Sequence, residues 1–182
     1  MVNRIRFIWK LDEKYVKVGL MMIIVKVWCY FRAILQKIFY KIIYGNKLKI
    51  GKRVTWRRGF SIMKMSDAFI QIGNDCFFNN NCSLASNTQI VIGQRTIMGE
   101  NVKIYDHNHR FNKNVPIKEQ GFSNKEVYIG DDCWLGSNVV ILKGTHISNH
   151  CIIGAGCIIS GYVPEWTIIK SSDEYKTYSI AH

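Results

Sequence analysis

An aliphatic residue returns at every sixth position along Ile129, Leu135, Ile141, Ile147, Ile153 and Ile159. A helix returns to one face about every 3.6 residues and a strand every 2, so neither produces this spacing. Six residues instead make one short side of a triangular coil, and three such sides close one turn of a parallel β-helix. The fourth residue after each aliphatic must fit an inner corner, and these residues are all small: Cys133, Val139, Thr145, Cys151, Cys157 and Val163. Glycine follows several aliphatics (Gly130, Gly136, Gly154), as tight turning favours.

The same ladder runs upstream through Ile72, Phe78, Leu84 and then Ile92, Met98, Ile104. It starts loosely at Ile50, Trp56, Ile62, where Val54 and Phe60 are large for inner corners, as expected of a terminal coil. The count is about five coils. Two irregularities interrupt it: an eight-residue step from Leu84 to Ile92 and a 25-residue step from Ile104 to Ile129. Pro164 is expected to stop the ladder. The implied divisions are a helical segment over 1–46, a β-helix over 47–164 with an extended loop at 105–128, and a tail over 165–182.

Charge is partitioned. Residues 1–66 hold 16 Lys/Arg and 2 Asp/Glu (+14), whereas residues 67–182 hold 9 and 11 (−2). Within the basic third, the apolar and aromatic stretch from about Lys14 to Tyr44 predicts a helix, ended by Gly45-Asn46. Lys26, Lys37 and Lys41 fall within about 60° of one another around its axis and give it a cationic face. Its longest uncharged run, Val18 to Val25, is far short of the ~20 residues that span a bilayer. Two readings stay open for residues 14–44: an interfacial helix on an anionic membrane, or packing against the coils or a sister subunit. No recognition motif accompanies the charge, so nucleic acid is not an expected partner. Five of the six cysteines occupy inner-corner positions and read as small buried hydrophobes. No disulfide framework or signal peptide is apparent, which points to a cytoplasmic setting, with any membrane contact peripheral and on the inner face.

The long excursion is where function concentrates in a regular solenoid. It opens with Tyr105-Asp106-His107-Asn108-His109. Histidine here suits a general base, a metal ligand or a solvated loop residue, and His109 points to the same side as His107 in an extended segment.

Three blocks carry a resemblance: residues 105–109, then Ile129-Gly130-Asp131-Asp132-Cys133-Trp134-Leu135-Gly136-Ser137-Asn138, then Ile153-Gly154-Ala155-Gly156. With them, residues 49 to 164 resemble the left-handed β-helix hexapeptide acyltransferases, in particular the galactoside and maltose O-acetyltransferases and their relatives in capsule and lipopolysaccharide biosynthesis. The resemblance implies an all-β left-handed parallel β-helix and transfer of acetyl from acetyl-CoA to a sugar hydroxyl. It implies His107 as general base, with His109 the competing candidate; Asp106 is placed with His109 beside the acceptor or, although neighbours in an extended segment point apart, as the partner that orients His107. It also implies Asn79, or Asn81 if a gap intervenes, as a contact to the carbohydrate acceptor. Trp134, Ser137 and Ala155 match positions lining the pantetheine groove, and no metal is required. A homotrimer is implied, with sites between subunits. The departures lie near the C-terminus, where Ser160-Gly161-Tyr162-Val163 precedes Pro164 and the family's Gly-x-Pro-Ala segment is absent.

Three alternatives remain on this reading. One is an N-acetyltransferase on an amino or nucleotide sugar. Another is a zinc enzyme resembling γ-carbonic anhydrase, drawing on His107, His109, His146 and His150. The third is a non-catalytic scaffold.

Overall fold

In the computed structural model the described residues are 2–65 and 67–171, with side chains described from position 21 onward except at 22 and 26. Helix α1, Val2–Tyr44, begins earlier than the expected Lys14 and ends at Gly45, whose φ of 52° is a left-handed stop that favours glycine. Three parallel sheets follow, wound into a left-handed triangular solenoid.

The first face stacks Leu48–Ile50, Phe69–Ile72, Gln89–Ile92, Val127–Ile129, His146–Ile147 and Tyr162–Val163. The second stacks Thr55–Trp56, Phe77–Phe78, Ile97–Met98, Trp134–Leu135, Ile152–Ile153 and Ile168–Ile169. The third stacks Ser61–Lys64, Ser83–Ser86, Lys103–Tyr105, Val140–Ile141 and Ile158–Ile159. The hexad aliphatics lie in register, Ile72 beside Ile92, Ile92 beside Ile129 and Ile129 beside Ile147, and they fill the core. Inner corners form buried columns, one of them Val54, Cys76, Thr96, Cys133 and Cys151.

The described strands make five coils and two sides of a sixth, slightly more than expected. Val163 is not the inner-corner residue that follows Ile159. It pairs with Ile147 and serves as the aliphatic residue of the last coil, reached through a corner shortened at Gly161 (φ 84°). Pro164 therefore does not stop the ladder, since Ile168–Ile169 continues it beside Ile152–Ile153. The equivalent amide one coil earlier, Ser148 N–H, donates to Val163 O in the next coil. Position 164 stands in the last described coil, so a proline there forfeits no ladder bond.

In the described coils every departure from the six-residue step falls at one corner. The first two corners keep their six-residue step in every described coil, whereas the third takes 10 residues from Ile62 to Ile72, 8 from Leu84 to Ile92, 25 from Ile104 to Ile129, 6 from Ile141 to Ile147 and 4 from Ile159 to Val163. Length variation on one edge leaves the other two edges regular.

Helix α1 caps the open end of the first coil. An end coil presents carbonyls and amides with no strand beneath them, and buried backbone groups must be paired. Gln36 Nε2 donates to Phe60 O at 2.9 Å, Tyr40 Oη accepts from Ile62 N–H at 3.0 Å, and Tyr44 Oη donates to Ile62 O at 3.0 Å. Trp56 Nε1 donates to Gln36 Oε1 at 2.8 Å. Lys37 donates to Val54 O and lies over the Trp56 ring, and burial lowers its pKa. Lys37 thus faces the coils, in keeping with the packing alternative for residues 14–44 and not with a membrane-facing lysine. The rest of α1 leaves large apolar side chains exposed, including Ile24, Val27, Phe31, Ile38 and Ile42.

Candidate active site

The excursion leaves the third corner after Tyr105. Its base is a two-stranded antiparallel hairpin, His107–His109 against Phe122–Asn124. Gln120 organises the tip: its Nε2 donates to Lys113 O and Val115 O, and its Oε1 accepts from Lys113 N–H. A buried amide side chain bonded to backbone on both ends fixes a loop that carries no helix or long strand of its own. Lys143, from the next coil, ties Ser123 Oγ at 2.5 Å.

Asp106 is fully buried, and its carboxylate is saturated. Its Oδ1 accepts from Asn87 N–H at 2.7 Å and its Oδ2 from Thr88 N–H at 2.9 Å and Ser86 Oγ at 2.6 Å. Oδ1 also lies 3.0 Å from His107 Nδ1. In the neutral imidazole a carboxylate at this position accepts from Nδ1–H, so that the lone pair is on Nε2. Of the two roles open to Asp106, contact with the acceptor and orientation of His107, the geometry matches the second. With no exposed surface it has none to offer an acceptor, and its contact is with the imidazole. Adjacent residues of a straight strand point apart, but here the chain turns away from the coil between them, so both side chains meet.

The extra residues between Leu84 and Ile92 supply this cradle. Asn87 and Thr88 lie in that lengthened step, and their amides are the ones bonded to Asp106. The spacing alone shows a bulge directly beneath the long excursion, and it is the one sequence signal that points to a buried partner for the loop.

His107 is mostly covered, its side chain 19% exposed, and meets the Phe122 ring edge-on at 5.3 Å between centroids. His109 also contacts Phe122, at 4.6 Å, but is exposed. The two rings share one side of the hairpin, as the alternation predicts. Of these two rings, only that of His107 is paired with a carboxylate.

The remaining candidates occupy a different edge. Trp134 stands on the second face, half-exposed. Ser137 and Ala155 lie on the corner that follows, in successive coils, because a Cβ at Gly136 would sit 2.6 Å from Ala155 N. Asn79 follows Phe78 on the same edge two coils earlier; its Oδ1 accepts from Asn80 N–H at 2.9 Å. Asn81 belongs to a column of left-handed corner residues with Asn101 and Asn138, at φ of 61°, 60° and 61°, a conformation asparagine tolerates. The chain therefore brings Asn79, Trp134, Ser137 and Ala155 to one edge of the prism and Asp106, His107 and His109 to another. The histidines of the zinc alternative do not gather. His146 stacks between Tyr128 and Tyr162 on the first face, and His150 stacks on Trp166 at another corner. Among the described residues no three His, Cys, Asp or Glu side chains converge as a metal site does.

The profile described as bacterial transferase hexapeptide (six repeats) matches residues 126–161. A putative lipopolysaccharide biosynthesis O-acetyl transferase, WbbJ of Escherichia coli (strain K12), is 30% identical over 132 residues, covering 68% of this chain and 67% of the relative. The chain belongs to the hexapeptide-repeat acyltransferases. The galactoside O-acetyltransferase of Lactococcus lactis is 31% identical over 96 residues, 53% of this chain and 46% of that one. The chain thus spans two thirds of one curated relative and about half of the other. A hexapeptide-repeat acetyltransferase from Vibrio cholerae, complexed with acetyl coenzyme A, shares the fold at a TM-score of 0.58 and 21% identity over 69% of this chain and 66% of that one. Among the described residues no helix is long and apolar enough to cross a membrane.

Proposed function

We propose that this hexapeptide-repeat protein is an acetyl-CoA-dependent O-acetyltransferase acting on a sugar hydroxyl, with His107 as general base. The observation that carries the proposal is the buried Asp106 carboxylate 3.0 Å from His107 Nδ1, which leaves Nε2 basic. A sugar hydroxyl is a weak nucleophile at neutral pH. Nε2 takes the hydroxyl proton as the oxygen attacks the thioester carbonyl. The C–S bond then breaks, and the coenzyme A thiolate leaves and recovers that proton from the imidazolium. A base so placed supplies about 10² to 10⁴ in rate.

The other edge supplies the rest. Gly136 N–H donates to Ile153 O and Asn138 N–H to Glu100 O, so the Ser137 amide between them is the one offered to the thioester oxygen, where an oriented donor is a large catalytic term. Trp134 gives the pantetheine arm an exposed apolar wall, and Ala155 keeps the next coil low beside it. Asn79, its Oδ1 engaged by Asn80, offers Nδ2 to an acceptor hydroxyl. Because His107 and this corner lie on different edges, the complete site forms between neighbouring chains of a homotrimer. The acetyl donor and a carbohydrate acceptor meet in that cleft. The exposed apolar sides of α1 support peripheral membrane contact as well; flotation with anionic liposomes tests it, and unchanged binding after Ile38→Asp with Ile42→Asp counts against it.

Release of free thiol from acetyl-CoA, measured against a panel of oligosaccharides, nucleotide sugars and amino sugars, tests the transfer. His107→Ala is expected to abolish turnover and His109→Ala to leave it within a few-fold. Loss with His109→Ala alone reassigns the base, and transfer to amino sugars alone makes the enzyme an N-acetyltransferase.

A further inference from the structure

A groove of about 750 Å³ lies between α1 and the second face of the first two coils. Its volume falls within the roughly 300–1,000 Å³ of small-molecule sites. Met21, Val25, Trp28 and Phe77 give it apolar walls, and Arg32, Arg57 and Arg58 line it as well. The Arg57 guanidinium lies over the Phe77 ring at 5.8 Å. No carboxylate lines the groove, and none of its arginines belongs to an ion pair among the described residues. Three uncompensated guanidinium groups beside a hydrocarbon wall suit one chemistry, an anionic head on an apolar chain. Arginine is the residue best matched to phosphate oxygens. Asn80 completes the lining. It donates to Glu100 Oε1 at 2.9 Å and directly follows Asn79, the residue assigned to the acceptor sugar, so one end of the groove lies beside that residue.

We propose that this groove holds the phosphate and hydrocarbon chain of a lipid-linked saccharide, whose sugar is then the acceptor of the transfer. The proposal rests on the O-acetyltransferase reading above and narrows its substrate class. A free glycoside has neither a chain for the apolar wall nor a charge for the arginines. Exposed apolar side chains of α1, among them Ile24 and Val27, neighbour the lining residues Val25 and Trp28, so a chain longer than the groove meets further apolar surface on the helix.

Cys29 lines the groove and is the least covered thiol; the other five cysteines are buried at inner corners. Its alkylation by N-ethylmaleimide, followed by mass spectrometry of the intact full-length protein, therefore reports occupancy there. Farnesyl diphosphate, below its aggregation concentration, is expected to slow Cys29 alkylation about tenfold or more, while farnesol, inorganic diphosphate and UDP-glucose at equal concentration leave it nearly unchanged. Arg57→Gln with Arg58→Gln, both exposed, should raise the half-protecting concentration about tenfold, the scale of lost charge-assisted bonds. Protection by farnesol alone, equal protection in the double variant, or protection by UDP-glucose overturns the proposal. So does a Cys29 that is unreactive without any ligand, because a second copy then covers the groove. Activity separates the two readings. Equal kcat/KM for a farnesyl-diphosphate-linked disaccharide and its free counterpart discards the lipid-linked acceptor and keeps the transferase. Protection of Cys29 without thiol release from any sugar keeps the groove and discards the transferase.

Discussion

Asp106 Oδ1 stands 3.0 Å from His107 Nδ1 while the same carboxylate accepts from two backbone amides and the Ser86 hydroxyl. Asp106→Asn replaces one acceptor oxygen by a donor. Whichever way the new amide turns, its NH₂ meets a backbone N–H already pointing inward, at Asn87 or at Thr88. An unsatisfied buried pair costs about 1–3 kcal/mol, and His107 loses the partner that holds its tautomer. Thermal unfolding should therefore shift downward, and kcat should fall about 10²-fold or more with KM for acetyl-CoA little changed. A variant that keeps kcat but unfolds earlier reduces Asp106 to a structural role.

Most of the core is legible in the sequence, and the illegible part has a common cause. The six-residue period names the ladder and the inner corners, where aliphatic and small side chains predominate, but not Leu48, Ile70, Ile90 and Val127, which are buried two positions before ladder residues of the first face. The period says less about edges. It puts Val163 at a corner, since nothing in a hexad rule reveals that Gly161 allows a step of four. The helix wheel makes Lys37 part of a cationic face, because it carries no information about which carbonyls of the first coil await a donor. His107 stands out by resemblance. Its carboxylate partner can be named from the sequence but not placed, since the turn that lets adjacent side chains meet is a property of the corner.

Gly99 marks a closer approach of two coils than any side chain permits. A Cβ there would lie 2.6 Å from Ser137 N and 2.8 Å from Gly136 C, both rigid backbone. Gly99→Ala should cost about 1–3 kcal/mol, the usual range for overpacking, seen as a lower Tm. The displaced Ser137 amide is the proposed oxyanion donor, so kcat should drop even at temperatures where the variant stays folded. Full activity below its Tm argues against the Ser137 assignment.

The cap makes Gln36 a stabilising residue remote from the chemistry. Gln36→Leu leaves Trp56 Nε1–H and Phe60 O without their partner, on the side of the first coil that no other coil covers. A buried polar group left unpaired costs about 1–3 kcal/mol, so the two together should cost about 2–4 kcal/mol once partial access of water is allowed for. The midpoint of urea denaturation should fall while kcat of the folded enzyme stays unchanged. An unaltered midpoint shows the helix to be dispensable to the first coil.

Burial holds the Cys76 thiol up at about 11 and raises those of Cys82 and Cys133 as well. At pH 8 native protein should react with Ellman's reagent at about one thiol per chain, Cys29, and at all six once denatured. The sign of the linkage follows. A buried neutral thiol contributes stability that is complete below the unfolded value near 8.5 and is lost as pH rises toward 11, because the unfolded chain ionises first. The urea midpoint should decline over that window, and a flat profile contradicts the burial.

His107 and the Ser137 corner lie on separate edges of one prism, so two defective chains can repair each other. His107→Ala leaves the corner intact, and Ala155→Trp fills the proposed groove while leaving His107 intact. Each variant alone should be inactive. Co-refolded in equal amounts, a site works when its histidine comes from the groove-filled chain and its corner from the other, so about one quarter of parent activity should return by random assembly of a symmetric ring. A site built within a single chain gives no recovery. Light scattering on the same mixture fixes the assembly: a trimer with a quarter of the activity supports the shared site, and a monomer removes it.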